Sequence, residues 1–140
     1  HDAREPAQYV FTCGSLRLGV LTDLGSITAH VQQAFNACDA LLLEANHDLD
    51  MLWNGPYPPS LKERVASDWG HLNNRQTAEL LELLHSSRLK KVVIGHISRK
   101  NNTVDVVRQT LGATCRLTNL DELVYACQDE GFDWIFLGNN

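Results

Sequence analysis

The chain has neither a paired-cysteine motif nor a long apolar run, and its basic residues are in the minority. Its four cysteines, Cys13, Cys38, Cys115 and Cys127, stand far apart with no CxxC pair. That excludes a zinc knuckle and a disulfide framework and leaves reduced thiols that fill space. No stretch approaches about 18 uninterrupted apolar residues, so a spanning helix is excluded. No basic-then-apolar leader is visible, and a cytoplasmic location is the expectation. With 12 Lys and Arg against 17 Asp and Glu, the formal charge is −5. A general polyanion binder is thereby excluded, although a local basic patch stays open. What is present is a 44% hydrophobic content over 140 residues, enough to bury a core at the size of one domain.

The hydrophobic pattern alternates between strand and helix. Residues 7–12 and 16–22 are strand-like around the turn Cys13-Gly14-Ser15 and form a predicted hairpin. Ser26 is positioned to cap a helix over 27–37, with Ile27, Val31, Ala34 and Phe35 on one face. Residues 40–44 (ALLLE) form an apolar run typical of a strand buried on both faces. Residues 46–59 are irregular, broken by Asn54-Gly55-Pro56 and Pro58-Pro59. A short helix over 61–67, capped by Ser60, precedes a long amphipathic helix that Asn73 or Asn74 caps and that runs to His85. The core stripe of that helix is Ala78, Leu80, Leu81 and Leu84. Residues 91–95 (KVVIG) are another buried strand and 103–111 a helix; 123–127 and 134–137 are short strands. The class is α/β, and the alternation predicts a three-layer arrangement.

Each buried strand ends in a titratable residue. Asp23 follows VLT, Glu44 follows LLL, and His96 follows VVIG. Parallel strands in an α/β unit gather their C-terminal ends on one edge, where ligands bind. An acid, an acid and an imidazole are thus delivered to one rim, and His71, in the Gly70-His71 loop, is placed to join them. Singly, each has an ordinary explanation. Asp23 can stabilise the turn at Leu24-Gly25, and His96 can be a satisfied core histidine. Glu44 is harder to explain away, because a carboxylate at the end of a buried strand loses solvation and needs a partner. Together, an oxygen and a nitrogen ligand suit a divalent metal such as Zn or Mn, but two ligands are not a site. Arg99-Lys100 is either a phosphate clamp or an exposed charge pair, while His30 and His85 fall within predicted helices as ordinary surface residues.

The motifs in their order resemble the metallo-β-lactamase superfamily. Within it they resemble the phosphodiesterase branch that includes tRNase Z, and especially the YycJ/WalJ-like group of bacterial exonuclease-like proteins. The residues carrying the likeness are His1-Asp2-Ala3 with Glu5-Pro6, Leu21-Thr22-Asp23-Leu24-Gly25, and Leu43-Glu44-Ala45-Asn46-His47-Asp48 with Met51-Leu52. Gly55-Pro56-Tyr57-Pro58 with Leu61-Lys62, Gly70-His71-Leu72-Asn73-Asn74, and Gly95-His96-Ile97-Ser98 with Asn101-Asn102 complete it. Asn73 departs from the pattern, since Ser is usual there.

The resemblance implies roles. His1, Asp23 and His96 match metal ligands, Asp23 as the bridge between two divalent ions, Zn or Mn. His71 matches the proton donor to the leaving oxygen, and Glu44 the acid that orients it. His47, Arg99 and Lys100 are weaker candidates for substrate contact, and His47 and Asp48 are expected in an outer shell or at the substrate edge. The HxHxDH motif that defines the superfamily is absent from residues 1–140, which begin at His1 and not Met. The resemblance therefore implies that the chain is the C-terminal half of an αββα sandwich, with on the order of a hundred residues preceding it.

The implied function is a metal-dependent hydrolase, a phosphodiesterase or nuclease acting on nucleic acid. One alternative is an inactive fragment that self-associates through the face left by the missing half, as a homodimer. Another is a parent acting on a small phosphodiester, a lactone or a thioester.

Overall fold

A computed structural model describes residues 6–84, 88–114 and 123–137. Strands β1 (Tyr9–Cys13) and β2 (Leu16–Leu21) form an antiparallel hairpin, turned by Gly14 at φ +59. The chain continues through α1 (Ala29–Phe35), β3 (Ala40–Glu44), α2 (Leu49–Asn54), α3 (Pro59–Ala66), α4 (Asn74–Leu84), β4 (Lys91–Gly95), α5 (Val104–Thr114) and β5 (Leu123–Tyr125). The sheet order is β1-β2-β3-β4-β5, with β2 to β5 all parallel. The C-terminal ends of β2, β3 and β4 therefore lie side by side, as the alternation predicts.

The sheet is covered by helices on one face. Leu21, Leu41, Leu43, Val92 and Ile94 point into a core shared with Val31 and Phe35 of α1, the α4 stripe Ala78, Leu80, Leu81 and Leu84, and Val107 and Leu111 of α5. Gly19 belongs to this face because a Cβ there would lie 2.7 Å from the Phe35 ring and 2.8 Å from Leu41. The opposite face, with Leu18, Val20, Leu42 and Val93, borders a cavity closed in part by Phe132, Trp134 and Ile135. Three layers are thus corrected to two among the described residues. The strand order never reverses, so successive right-handed crossovers return α1, α4 and α5 to the same side.

Local capping chemistry accounts for most shifts in the element boundaries. Thr28, not Ser26, caps α1, its hydroxyl accepting from Val31 N. Pro58 precedes α3 with Pro59 in its first turn, so Ser60 lies inside the helix. Asn73 caps α4 reciprocally: its side chain accepts from Gln76 N at 2.9 Å, and Gln76 Oε1 accepts from Asn73 N at 3.0 Å. The expected irregular stretch contains α2, capped by Asp48, whose side chain accepts from Met51 N. Residues 134–137 form no strand, and Trp134 is fully exposed. Cys13, Cys38 and Cys127 are free thiols; His1, His85 and Cys115 lie outside the described residues. Among the described residues, no helix is long and apolar enough to cross a membrane.

Two glycines bring the loops of the site together. A Cβ on Gly25 would lie 2.6 Å from Gly70 N and overlap the Asp68 carbonyl, while one on Gly70 would overlap the Val65 and Arg64 carbonyl oxygens. The loop after Asp23 therefore seats directly against the loop before His71. Gly25→Ala is expected to cost about 2 kcal/mol or more, because the obstructing atoms, the Asp68 carbonyl and Gly70 N, are backbone and cannot rotate away. Urea unfolding of the variant checks this, and an unchanged midpoint would show that the loops are not in close contact.

Candidate functional site

Glu44, the last residue of β3, is fully buried and holds the site together. Its Oε1 accepts from Leu24 N at 2.8 Å and Leu72 N at 3.1 Å, and its Oε2 from Asp23 N at 3.0 Å. The same Oε2 lies 3.2 Å from His71 Nδ1 and 3.0 Å from His96 Nδ1. Burial pushes the Glu44 pKa up, but the bonds from His71 and His96 and the Leu72 and Leu24 amides outweigh it and bring it down to about 2. The carboxylate is then ionised at neutral pH and can only accept. Each imidazole must donate its Nδ1–H, which puts the lone pair on Nε2. One buried acid thus fixes the tautomer of two histidines, one more than the expected pairing with His71.

Asp23 and His96 both have left-handed backbones, at φ 59 and 54. Asp and His adopt this region more readily than most residues, yet it still costs about 1 kcal/mol or more each. Such strain concentrates where geometry matters more than stability. His71 Nδ1 and His96 Nε2 lie 3.8 and 3.9 Å from Asp23 Oδ1, and the two rings are 5.2 Å apart. One ligand atom from each of Asp23, His71 and His96 can be chosen so that all lie within 4.8 Å of one another. A carboxylate oxygen with two imidazole nitrogens is a donor set that fits Zn or Mn. Hydrogen bonding to Glu44 raises the pKa of His96, against the opposing effect of burial.

Behind this rim is a network of amides and hydroxyls. Asn102 Nδ2 donates to Ala45 O at 2.8 Å and to Asn74 Oδ1 at 2.7 Å, and Asn74 Nδ2 donates back to Asn102 Oδ1. Thr77 Oγ1 donates to Glu44 O at 2.7 Å. Asn46 N donates to Leu72 O, and Ser98 N to Asn46 O. The loops after β3 and β4 and the start of α4 are therefore cross-linked. The paired asparagines in Asn73-Asn74 and Asn101-Asn102 were the visible signal, but nothing in their spacing shows that Asn74 meets Asn102.

The remaining candidates separate. His47 is fully buried, and neither ring nitrogen has a hydrogen-bond partner among the described residues. The expected place for it at the substrate edge is corrected, since no surface reaches the ring. Burial, with the nearby His71, lowers its pKa to about 4. Asp48 is the α2 cap. Arg99 is exposed and paired with Asp129, and Lys100 Nζ lies 6.0 Å from the Tyr57 ring centroid. Tyr57, which the sequence did not single out for chemistry, lines a cavity of about 620 Å³ together with His71, His96, Arg99 and Lys100.

These shifts set the response to acid without bound metal. His47 and Glu44 both have folded pKa values below their ordinary ones, 6.5 and 4.5, so the unfolded chain takes up their protons first. Their contributions are complete above pH 6.5 and 4.5, and are lost as pH falls through about 4 and about 2. His96 is shifted the other way, so its contribution is complete below pH 6.5 and lost as pH rises past its raised value. The urea midpoint is expected to fall from pH 6.5 toward 4, and His47→Leu is expected to remove that first part of the decline. A wild-type midpoint that stays flat over that interval contradicts the burial of an uncharged His47.

No family model matches the chain. It is 36% identical over 111 residues to exodeoxyribonuclease WalJ of Streptococcus pneumoniae serotype 2, an alignment covering 79% of this chain and 41% of that protein. It is 32% identical over 111 residues to exodeoxyribonuclease YycJ of Bacillus anthracis, covering 79% and 42%. The chain spans about two-fifths of the length of these curated relatives. Among solved structures it is similar to the metallo-beta-lactamase fold protein YhfI from Bacillus subtilis, with a TM-score of 0.58 and 15% identity, over 91% of this chain and 43% of that one. That likeness shows the fold.

Proposed function

Because the chain belongs to the metallo-β-lactamase superfamily, on its YycJ-like side, we propose that it is the C-terminal part of a metal-dependent phosphodiesterase that degrades DNA. The observation that carries this reading is the convergence of Asp23, His71 and His96 on one buried carboxylate at the rim of a parallel sheet. The names of the relatives at 36% and 32% identity support DNA as the substrate. A cytoplasmic location is part of the same proposal.

Asp23 and His96, with His1, would hold two divalent metals, Zn or Mn. Such ions supply Lewis acidity toward a phosphoryl oxygen and acidify water near neutral pH. His71 gives a proton to the leaving oxygen. Glu44 orients that ring by accepting from its Nδ1–H, which turns Nε2 toward the substrate side. The left-handed Asp23 and His96 direct their side chains from the strand ends toward the substrate side.

The open sheet face supports the proposed division of the fold. Leu18, Val20, Leu42 and Val93 line it, with Trp134 and Phe136 exposed beside it. The first half of the sandwich covers this face in the whole protein. The chain alone forms a homodimer through the same face, and a clean monomer in light scattering at high concentration argues against that.

The reading is tested by assaying the full-length protein, supplied with Mn or Zn, on DNA ends and on bis(p-nitrophenyl) phosphate. Metal-dependent cleavage of both is the expected result. A metal-replete protein that cleaves neither these nor RNA ends fails as a phosphodiesterase.

A further inference from the structure

The cavity beside His71 and His96 has a second end that hydrolysis of a phosphodiester does not require. There the lining changes from imidazoles to the half-buried Tyr57 ring and the aliphatic side chains of Leu61 and Val65. At about 620 Å³, it is within the range of roughly 300–1,000 Å³ typical of small-ligand sites.

The segment carrying Tyr57 is held in place. Pro56 and Pro58 flank the tyrosine and restrict the backbone on both sides of it. Gly55 is pressed against the loop that follows β4: a Cβ there would lie 2.8 Å from Asn101 Oδ1 and 2.7 Å from Met51 O. Lys62 Nζ donates to Trp53 O at 2.7 Å, joining α2 to α3. The ring therefore loses little freedom on meeting a ligand, which favours its use as a platform. Lys100 adds a cation at the same end, 6.0 Å from the ring centroid. Arg99 contributes less charge there, because Asp129 neutralises it.

We propose that this end of the cavity is a nucleotide subsite, with Tyr57 stacking on the base next to the scissile phosphate and Lys100 facing the backbone phosphate of that nucleotide. The inference rests on the phosphodiesterase reading and adds a specificity-determining residue to it. An aromatic face stacks on every base and reads none by hydrogen bonds, so the subsite selects for the presence of a base and not for its identity. It favours a polynucleotide end over a phosphodiester that lacks bases.

The test uses the full-length protein and two probes, thymidine 5′-monophosphate and 2-deoxyribose 5-phosphate, which differ by the base. Binding of each is measured to wild type, Tyr57→Ala and Tyr57→Phe. Wild type and Tyr57→Phe are expected to bind the nucleotide about tenfold or more tighter than the sugar phosphate, the range that one stacked base supplies. Tyr57→Ala is expected to lose that margin while its sugar-phosphate affinity stays unchanged, which also shows that the variant is folded. A margin that persists in Tyr57→Ala, or is absent in wild type, overturns the subsite. A Tyr57-dependent margin in a protein that cleaves no phosphodiester overturns the proposed activity and leaves the base-binding assignment standing.

Discussion

Glu44→Gln is expected to cost the fold about 3 kcal/mol or more and to leave the site inactive. The carboxylate is fully buried and receives three backbone amides and two imidazoles. Glutamine keeps the shape, but one of its two terminal atoms is an amide nitrogen, which turns donors toward donors. Breaking a buried charged network by changing one partner typically costs about 3–5 kcal/mol, more than a neutral hydrogen bond lost at the surface. The functional loss follows from the same contacts, because both imidazoles lose the acceptor that fixes their Nδ1–H tautomer. Urea unfolding and turnover of the full-length variant measure the two effects. Wild-type stability together with wild-type turnover would mean that Glu44 is only a core acid.

His71→Ala is expected to lower turnover by about 10²–10⁴-fold, the contribution of a positioned general acid, while metal content stays unchanged. The geometry makes this a sharp test, because His71 is also close enough to Asp23 and His96 to serve as a ligand. A general acid matters less when the leaving group is already a good one. The loss should therefore be smaller on a p-nitrophenyl ester than on a DNA end. If the variant loses metal stoichiometrically, or if both substrates suffer equally, His71 is a ligand and the proton comes from elsewhere.

Much of this site is legible in the sequence because it lies where hydrophobic runs stop. Residues 40–44 and 91–95 are continuous apolar strands, and the residues at or after their ends, Glu44 and His96, are the ones that meet. Asp23 follows β2 for the same reason, and parallel pairing brings the three ends together.

The meeting itself is not encoded by any local spacing. Glu44 contacts His71 across 27 residues and His96 across 52, so its double role depends on how two loops return to one strand end. Gly25 and Gly70 make that return possible by backbone contact, which hydrophobic periodicity does not register. Of the two positions expected for His47, an outer shell or the substrate edge, burial excludes the second: the Asn46 and His47 backbones pair with residues around His71 and bury the ring. Helix α2 was hidden by its breakers, Asn54-Gly55-Pro56, although Asp48 was its cap. Residues 134–137 have a strand's composition but no neighbouring strand to pair with among the described residues.

Anomalous scattering at the manganese edge, from crystals of the full-length protein grown with Mn, tests the central claim most directly. The account predicts a peak within coordination distance, about 2.0–2.3 Å, of an Asp23 carboxylate oxygen and of His96 Nε2, with both Nδ1 atoms still on Glu44. A metal-replete protein with no peak between Asp23 and His96 would contradict it.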